Sequence, residues 1–206
     1  MPGEIAEVVL ASTNPGKIAE VSKILGEMSI RLLTREAFED WPEIEETGAS
    51  YLENALIKAH ALLAFTGRPA LADDSGIEVD VLGGRPGVRS ARFAGPGATD
   101  EENNRRLISL LKAIPPELRS ARYRCVAAMV FPDGTELAGV GACEGRIGFS
   151  PRGCGGFGYD PWFIPAGDAR TMAELRPEEK HAISHRGKAL RGLASLLGRS
   201  APAISC

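Results

Sequence analysis

Apolar positions along the chain follow two periods, and the alternation between them lays out the elements. Val8-Val9-Leu10 is a continuous apolar run inside residues 5–11 and predicts a buried strand. Ser12-Thr13-Asn14 is a polar loop, with Asn14 suited to cap a helix and Pro15 to open it. Ile18, Val21, Leu25 and Met28 recur at helical spacing, and 30–33 predicts a second strand. Strand, loop, helix, strand is the opening of an α/β fold. After an acidic loop over 40–48, Ser50 and Glu53 predict a capping box, with Leu52, Leu56, Ala59 and Leu63 as the inward stripe. Gly67-Arg68-Pro69 closes that helix.

Ala70-Leu71-Ala72 predicts a short buried strand, and the alternating Ile77-Glu78-Val79-Asp80-Val81 a half-buried one. Thr99 and Glu102 cap a third helix with Leu107, Leu110, Leu111 and Ile114 inward, ended by Pro115-Pro116. Residues 122–131 and 135–147 flank Pro132-Asp133-Gly134 and predict a hairpin. A glycine-dense loop covers 148–158. Residues 177–197 read as mostly helical, with Ala189, Leu193, Leu196 and Leu197 inward. No internal repeat interrupts the pattern, so 1–198 is expected as one domain and 199–206 as a frayed tail.

Composition narrows the classes. The 206 residues are 44% hydrophobic and 25% charged, ordinary for a globular chain with a real core. A net charge of −3 argues against a general nucleic-acid surface and asks for a local basic pocket if the ligand is polyanionic. No apolar run reaches membrane-spanning length, and Met1-Pro2-Gly3-Glu4 lacks a signal-peptide start. Cys125, Cys143, Cys154 and Cys206 show no Cys-x-x-Cys spacing, which disfavours zinc and predicts free thiols in a reducing, cytoplasmic setting.

The most informative segment is Leu71-Ala72-Asp73-Asp74-Ser75-Gly76. Adjacent carboxylates between two expected strands repel unless a cation or a shared proton compensates. A hard divalent ion such as Mg2+ fits, since it takes one or two carboxylates plus phosphate oxygens. The alternative is simple turn chemistry. Ser12-Thr13-Asn14-Pro15-Gly16-Lys17 brings hydroxyls, an amide and a lysine to a helix start, where a phosphate is favoured; an ordinary cap is the other reading. It is not a Walker loop, whose spacing is absent. Glu45-Glu46-Thr47-Gly48 is a second acidic turn, and Glu45 is the candidate to join Asp74 at a metal. Asn54 and Lys58 share a helix face away from the expected stripe, a solvated position or a site edge. In Gly155-Gly156-Phe157-Gly158-Tyr159-Asp160-Pro161 the glycines admit a flat ligand, and Phe157 or Tyr159 can stack on a nucleobase. Lys180 and Ser184-His185-Arg186-Gly187-Lys188 interrupt a helical stretch with cationic and titratable groups.

Together these segments, with Glu53-Asn54-Ala55, Lys58-Ala59, Leu82-Gly83-Gly84, Pro86-Gly87 and Ser90-Ala91-Arg92, resemble the Ham1-like inosine/xanthosine triphosphate pyrophosphatases. They occur in the family's order from residue 5 to about 197. The resemblance implies an elongated α/β fold: a long mixed sheet with flanking helices, two lobes around a central cleft, and a homodimer. It implies Mg2+-dependent hydrolysis of ITP, dITP and XTP to monophosphate and pyrophosphate, with no nucleic-acid or membrane partner. Carried over by position, Ser12, Thr13, Asn14, Pro15, Gly16 and Lys17 bind phosphates, and Asp74 accepts a proton. Glu45 and Asp74 face the metal, and Ser75 contacts substrate. Phe157, Gly158, Tyr159, Asp160, Lys180, His185 and Arg186 line the nucleotide pocket. Asp73 either tunes Asp74 or binds metal through water. A Maf-like nucleotide pyrophosphatase is a neighbouring reading, disfavoured by Ile18 where a second basic residue is expected. A non-catalytic nucleotide-binding module is the reading from another class, disfavoured by the intact Asp73, Asp74 and Glu45.

Overall fold

The computed structural model describes residues 5–200, with backbone alone at 199 and 200. Met1–Glu4 and the part of the expected tail from 201 to 206, Cys206 included, lie outside the described residues. Six strands, β1 (Glu7–Leu10), β2 (Arg31–Leu33), β3 (Ala70–Val79), β4 (Ser120–Val130), β5 (Glu136–Ile147) and β6 (Phe163–Pro165), form one mixed sheet in the order β2-β1-β3-β4-β5-β6. β1 pairs in parallel with β2 and β3, and β5 pairs antiparallel with β6. Five α-helices accompany them: α1 (Pro15–Glu27), α2 (Tyr51–Thr66), α3 (Asp100–Leu111), α4 (Pro177–Ile183) and α5 (His185–Ser200).

The chain divides into two compact units. The first takes residues up to Asp74, then 125–141 and from Arg186 onward. Its strands are covered on both faces, which is why β1 is apolar without alternation. Val8 and Leu10 share a core with Val21, Leu25, Met129 and Leu193, while Val9 turns to Ala59, Leu62, Ala72 and Val130. Gly139 lets α5 close in: a Cβ there would stand 2.1 Å from the Ala189 carbonyl oxygen. The second unit, 75–124 and 142–185, packs Ile77, Val79, Tyr123, Ile147 and Phe163 with Leu107 and Leu111 of α3.

Local signals did their expected work at several ends. Asn14 caps α1, and Thr99 with Glu102 forms a reciprocal capping box on α3. Gly67, with φ 66°, ends α2 by donating its N–H to Leu63. Five expectations are corrected. Asp73-Asp74-Ser75-Gly76 is no junction: β3 runs through it unbroken from Ala70 to Val79. A strand central in the sheet can bury two carboxylates because cations reach them from elsewhere in the chain, as described below. On α2 the buried residues are Asn54, Ala55, Ala59 and Leu62, whereas Leu52 is 42% exposed. The capping there is one-sided: Ser50 accepts from Glu53 N, but Glu53 reaches Ala49 N. Leu110 faces solvent, and the C-terminal stretch is two helices broken at Ser184, with Leu190 rather than Leu196 fully inward. Cys125, Cys143 and Cys154 are free thiols, as expected. Among the described residues no helix is long and apolar enough to cross a membrane.

Candidate active site

In the first unit, the turn after β1 is ordered by its own side chains. Asn14 Oδ1 accepts from the N–H groups of Gly16 (2.9 Å) and Lys17 (3.2 Å), and Ser12 Oγ accepts from Asn14 N (3.2 Å). Pro15 has no N–H, so the earliest amides of α1 are spent on the cap. Besides the cap, the turn carries the hydroxyls of Ser12 and Thr13 and the ammonium of Lys17.

Lys17 belongs to a largely buried charge cluster. Its Nζ donates to Asp73 Oδ2 at 3.0 Å, and Arg186 Nε, from the start of α5, donates to the same oxygen at 3.2 Å. Arg186 Nη1 also meets Glu20 Oε2 of α1 at 3.2 Å. Burial alone would raise the Asp73 pKa, but Lys17, Arg186 and Lys58 together hold it well below the usual carboxylate range. Arg186 is affected oppositely: burial disfavours its charge, and Asp73, Cys125 and Glu20 together more than restore it. Cys125 Sγ stands 3.8 Å from Asp73 Oδ2, and its thiol is pushed far up, first by burial and then by that carboxylate. Such a thiol is inert. Asp73 Oδ1 is buried and, among the described residues, has no hydrogen-bond partner.

Asp74 is held from α2. Asn54 Nδ2 donates to Asp74 Oδ2 at 3.0 Å, and Asn54 Oδ1 accepts from Gly48 N at 2.8 Å. Lys58 Nζ meets Glu46 Oε1 at 2.6 Å and lies 3.8 Å from Asp74 Oδ1. The acidic loop is thus fastened beside Asp74 through Gly48 and Glu46. Glu45 is exposed, and the structure ties its neighbour Glu46, not Glu45, to this cluster.

The second unit carries the aromatic constellation. Tyr123 of β4 stacks on His185 with centroids 4.6 Å apart and planes 7° from parallel. Its hydroxyl donates to Asp160 Oδ1 (3.2 Å), while Asp160 Oδ2 accepts from Lys180 Nζ (2.6 Å) and Phe157 N (3.0 Å). The Tyr123 phenol is pushed well above its usual pKa by burial and then by Asp160, so it stays a donor. Lys180 Nζ sits 4.8 Å above the Phe157 ring, a cation–π contact. Gly156 is required here: with φ 76°, a Cβ would come 2.2 Å from Asp160 Oδ2. Tyr159 donates to the Ser90 carbonyl, and Gly158 is pinned to α3 by Asp100 and Asn104. Phe157 and Gly158 line a groove of about 580 Å³ that Asn104 and Trp162 also border.

The sequence-derived candidates therefore fall into two groups. Lys17, Asp74 and Arg186 belong to the charge cluster of the first unit, with Ser12–Gly16 forming the capped turn. Phe157, Gly158, Tyr159, Asp160, Lys180 and His185 belong to the second unit, where Ser75 also lies. Arg186 departs from its expected neighbours, since its guanidinium is committed to Asp73 and Glu20. Glu46 and Tyr123, to which the sequence reading gave no role, join these two groups, and Asn54 and Lys58, read as a pair on one helix face, turn out to contact Asp74. An amide and a lysine on the supposed polar face of α2 were the available hint.

A divalent cation fits the first group by chemical type. Asp74 supplies hard carboxylate oxygens, and Asp73 Oδ1 is a buried acceptor still to be satisfied. Among the described residues no three acidic, His or Cys side chains gather into a cage. Mg2+ needs only one or two carboxylates when phosphates and water complete its shell.

The Ham1 family model matches residues 8–196. The chain is 48% identical to a dITP/XTP pyrophosphatase of Geobacter sulfurreducens over 94% of this chain and 98% of that one. It is 47% identical to a dITP/XTP pyrophosphatase of Streptomyces coelicolor, again over 94% and 98%. A solved HAM1 protein structure from Coxiella burnetii superposes with a TM-score of 0.87 at 44% identity, over 95% of this chain and 100% of that one.

Proposed function

Because the chain belongs to the Ham1 family, we propose that it hydrolyses the non-standard purine nucleoside triphosphates ITP, dITP and XTP to monophosphate and pyrophosphate. The observation that carries this reading is the cluster of Lys17, Lys58, Arg186, Asp73 and Asp74. It concentrates cationic charge for a phosphate chain beside a carboxylate whose orientation is fixed.

Asp74 takes the proton of the water that attacks the α–β linkage, and that water's oxygen ends on one of the two products. Asp73 acts as the counter-ion that keeps Lys17 and Arg186 in place, a role supported by their contacts at 3.0 and 3.2 Å to its Oδ2. Ser12, Thr13 and Lys17 receive phosphate oxygens. Asp74 would hold Mg2+ together with Glu45, whose loop Gly48 and Glu46 fasten beside Asp74; when bound, the ion supplies charge neutralisation on the phosphates. Phe157 stacks on the purine, and Lys180 is a donor for a 6-oxo group. Hypoxanthine and xanthine present an acceptor there, whereas the adenine amine would set donor against donor. The functional form we propose is a cytoplasmic homodimer, to be checked by light scattering.

The test is a panel of dITP, ITP, XTP, GTP and ATP with Mg2+, with the phosphate product identified. Pyrophosphate released at least tenfold faster from the first three supports the reading. Orthophosphate as the product, or equal rates throughout, overturns it.

A further inference from the structure

Asn54 is fully buried, yet it is a polar residue on a helix whose other inward positions are small or apolar. Burying an amide is costly unless both ends are bonded. Here each end is used, and the partners come from two different segments. Oδ1 accepts from Gly48 N at 2.8 Å, at the end of the acidic loop, and Nδ2 donates to Asp74 Oδ2 at 3.0 Å. Lys58, one helical turn further along α2, repeats the pattern with charge: Glu46 at 2.6 Å and Asp74 Oδ1 at 3.8 Å. The two oxygens of Asp74 are thus addressed by two α2 side chains, and each of those side chains also holds one residue of the acidic loop.

Gly48 shows how close the fit is. A Cβ there would stand 2.7 Å from Asn54 Oδ1, 2.7 Å from Glu53 Cβ and 2.9 Å from Asn54 N. Backbone, not side chain, must face the amide at that point.

We infer that Asn54 is a positioning residue for the reaction, setting the rotation of the Asp74 carboxylate and locking the acidic loop to it. The inference rests on the functional reading given above. Among the common side chains only an amide offers one donor and one acceptor in a fixed fork. Aspartate at this position keeps the acceptor for Gly48 but meets Asp74 with an oxygen instead of an N–H. A misdirected carboxylate hinders the chemical step far more than it hinders nucleotide binding.

The experiment measures kcat and KM for dITP with wild type, Asn54→Asp and Gly48→Ala, alongside thermal unfolding of each. Loss of an orienting partner of a reactive group lowers turnover by roughly 10–100-fold. We expect kcat to fall into that range in both variants while KM stays within about threefold, at temperatures where both remain folded. If Asn54→Asp does not fold, Gly48→Ala decides alone. Wild-type turnover in a folded variant that has merely lost stability would show the amide to be structural only and overturn the inference. A raised KM at unchanged kcat would overturn it equally. Failure of the wild type to release pyrophosphate would instead overturn the functional reading, and the inference with it.

Discussion

Replacing Asp73 by Asn removes one negative charge and little else, so it isolates the electrostatics of the cluster. The Asp73 and Arg186 side chains are each 3% exposed and that of Lys17 20%, so none of these charges is well hydrated. Removing one partner of a buried pair costs about 3–5 kcal/mol, because the other charge is left uncompensated. Two features put the cost at the lower end. Arg186 keeps Glu20 at 3.2 Å, and Lys17 can turn partly to water. The expected loss is about 3 kcal/mol, which for a chain of this length corresponds to a melting temperature lower by roughly 6–12 °C. The assay is thermal unfolding in EDTA without nucleotide, so that neither metal nor ligand contributes. The pH dependence carries a definite sign. Asp73 has a folded pKa below its ordinary 3.8, so its contribution is complete above that value and is lost as pH falls through the folded pKa. The difference between wild type and Asp73→Asn is therefore constant near neutrality and shrinks below about pH 4. A change of less than 2 °C at pH 7, or a difference that grows on acidification, would refute the assignment of Asp73 as the counter-ion to both cations.

Three further outcomes follow from named contacts. Gly156→Ala places a Cβ 2.2 Å from Asp160 Oδ2 at φ 76°, and should raise KM for dITP at least tenfold in steady-state assays, with little effect on folding of the first unit. Tyr123→Phe keeps the stack on His185 but leaves Asp160 Oδ1 without its phenol donor. The expected cost is about 1 kcal/mol of stability, with weaker discrimination between dITP and dATP in competition assays. Chelation with EDTA should abolish turnover, and added Mg2+ should restore it, with the circular dichroism spectrum unchanged throughout.

What the sequence made legible was what neighbours in the chain decide. Asn14-Pro15, Thr99 with Glu102, and Pro132-Asp133-Gly134 each specify an end or a turn through contacts spanning a few residues, and each formed as expected. The unbroken course of β3 through Asp73 and Asp74 was hidden because the neutralising cations lie 56 and 113 residues away along the chain. α2 misled for a related reason. Apolar residues occur on several of its faces, so spacing could not choose between a stripe through Leu52 and Leu56 and one through Ala55 and Leu62. The buried face is the one containing Asn54, since Gly48 and Asp74 satisfy its amide. β6 is three residues long and held by its pairing to β5, too short for any periodic signature. The candidate site itself was legible mainly as motifs. Their division into a charge cluster and an aromatic cluster, with Arg186 in the former, required the coordinates.

The most direct trial of the account is Asp74→Asn, assayed for pyrophosphate release from dITP with Mg2+ while nucleotide affinity is measured separately by calorimetry. Removing a proton acceptor should lower kcat by roughly 10²–10⁴-fold while dITP still binds. Turnover within threefold of wild type would contradict a role for that carboxylate in the chemistry.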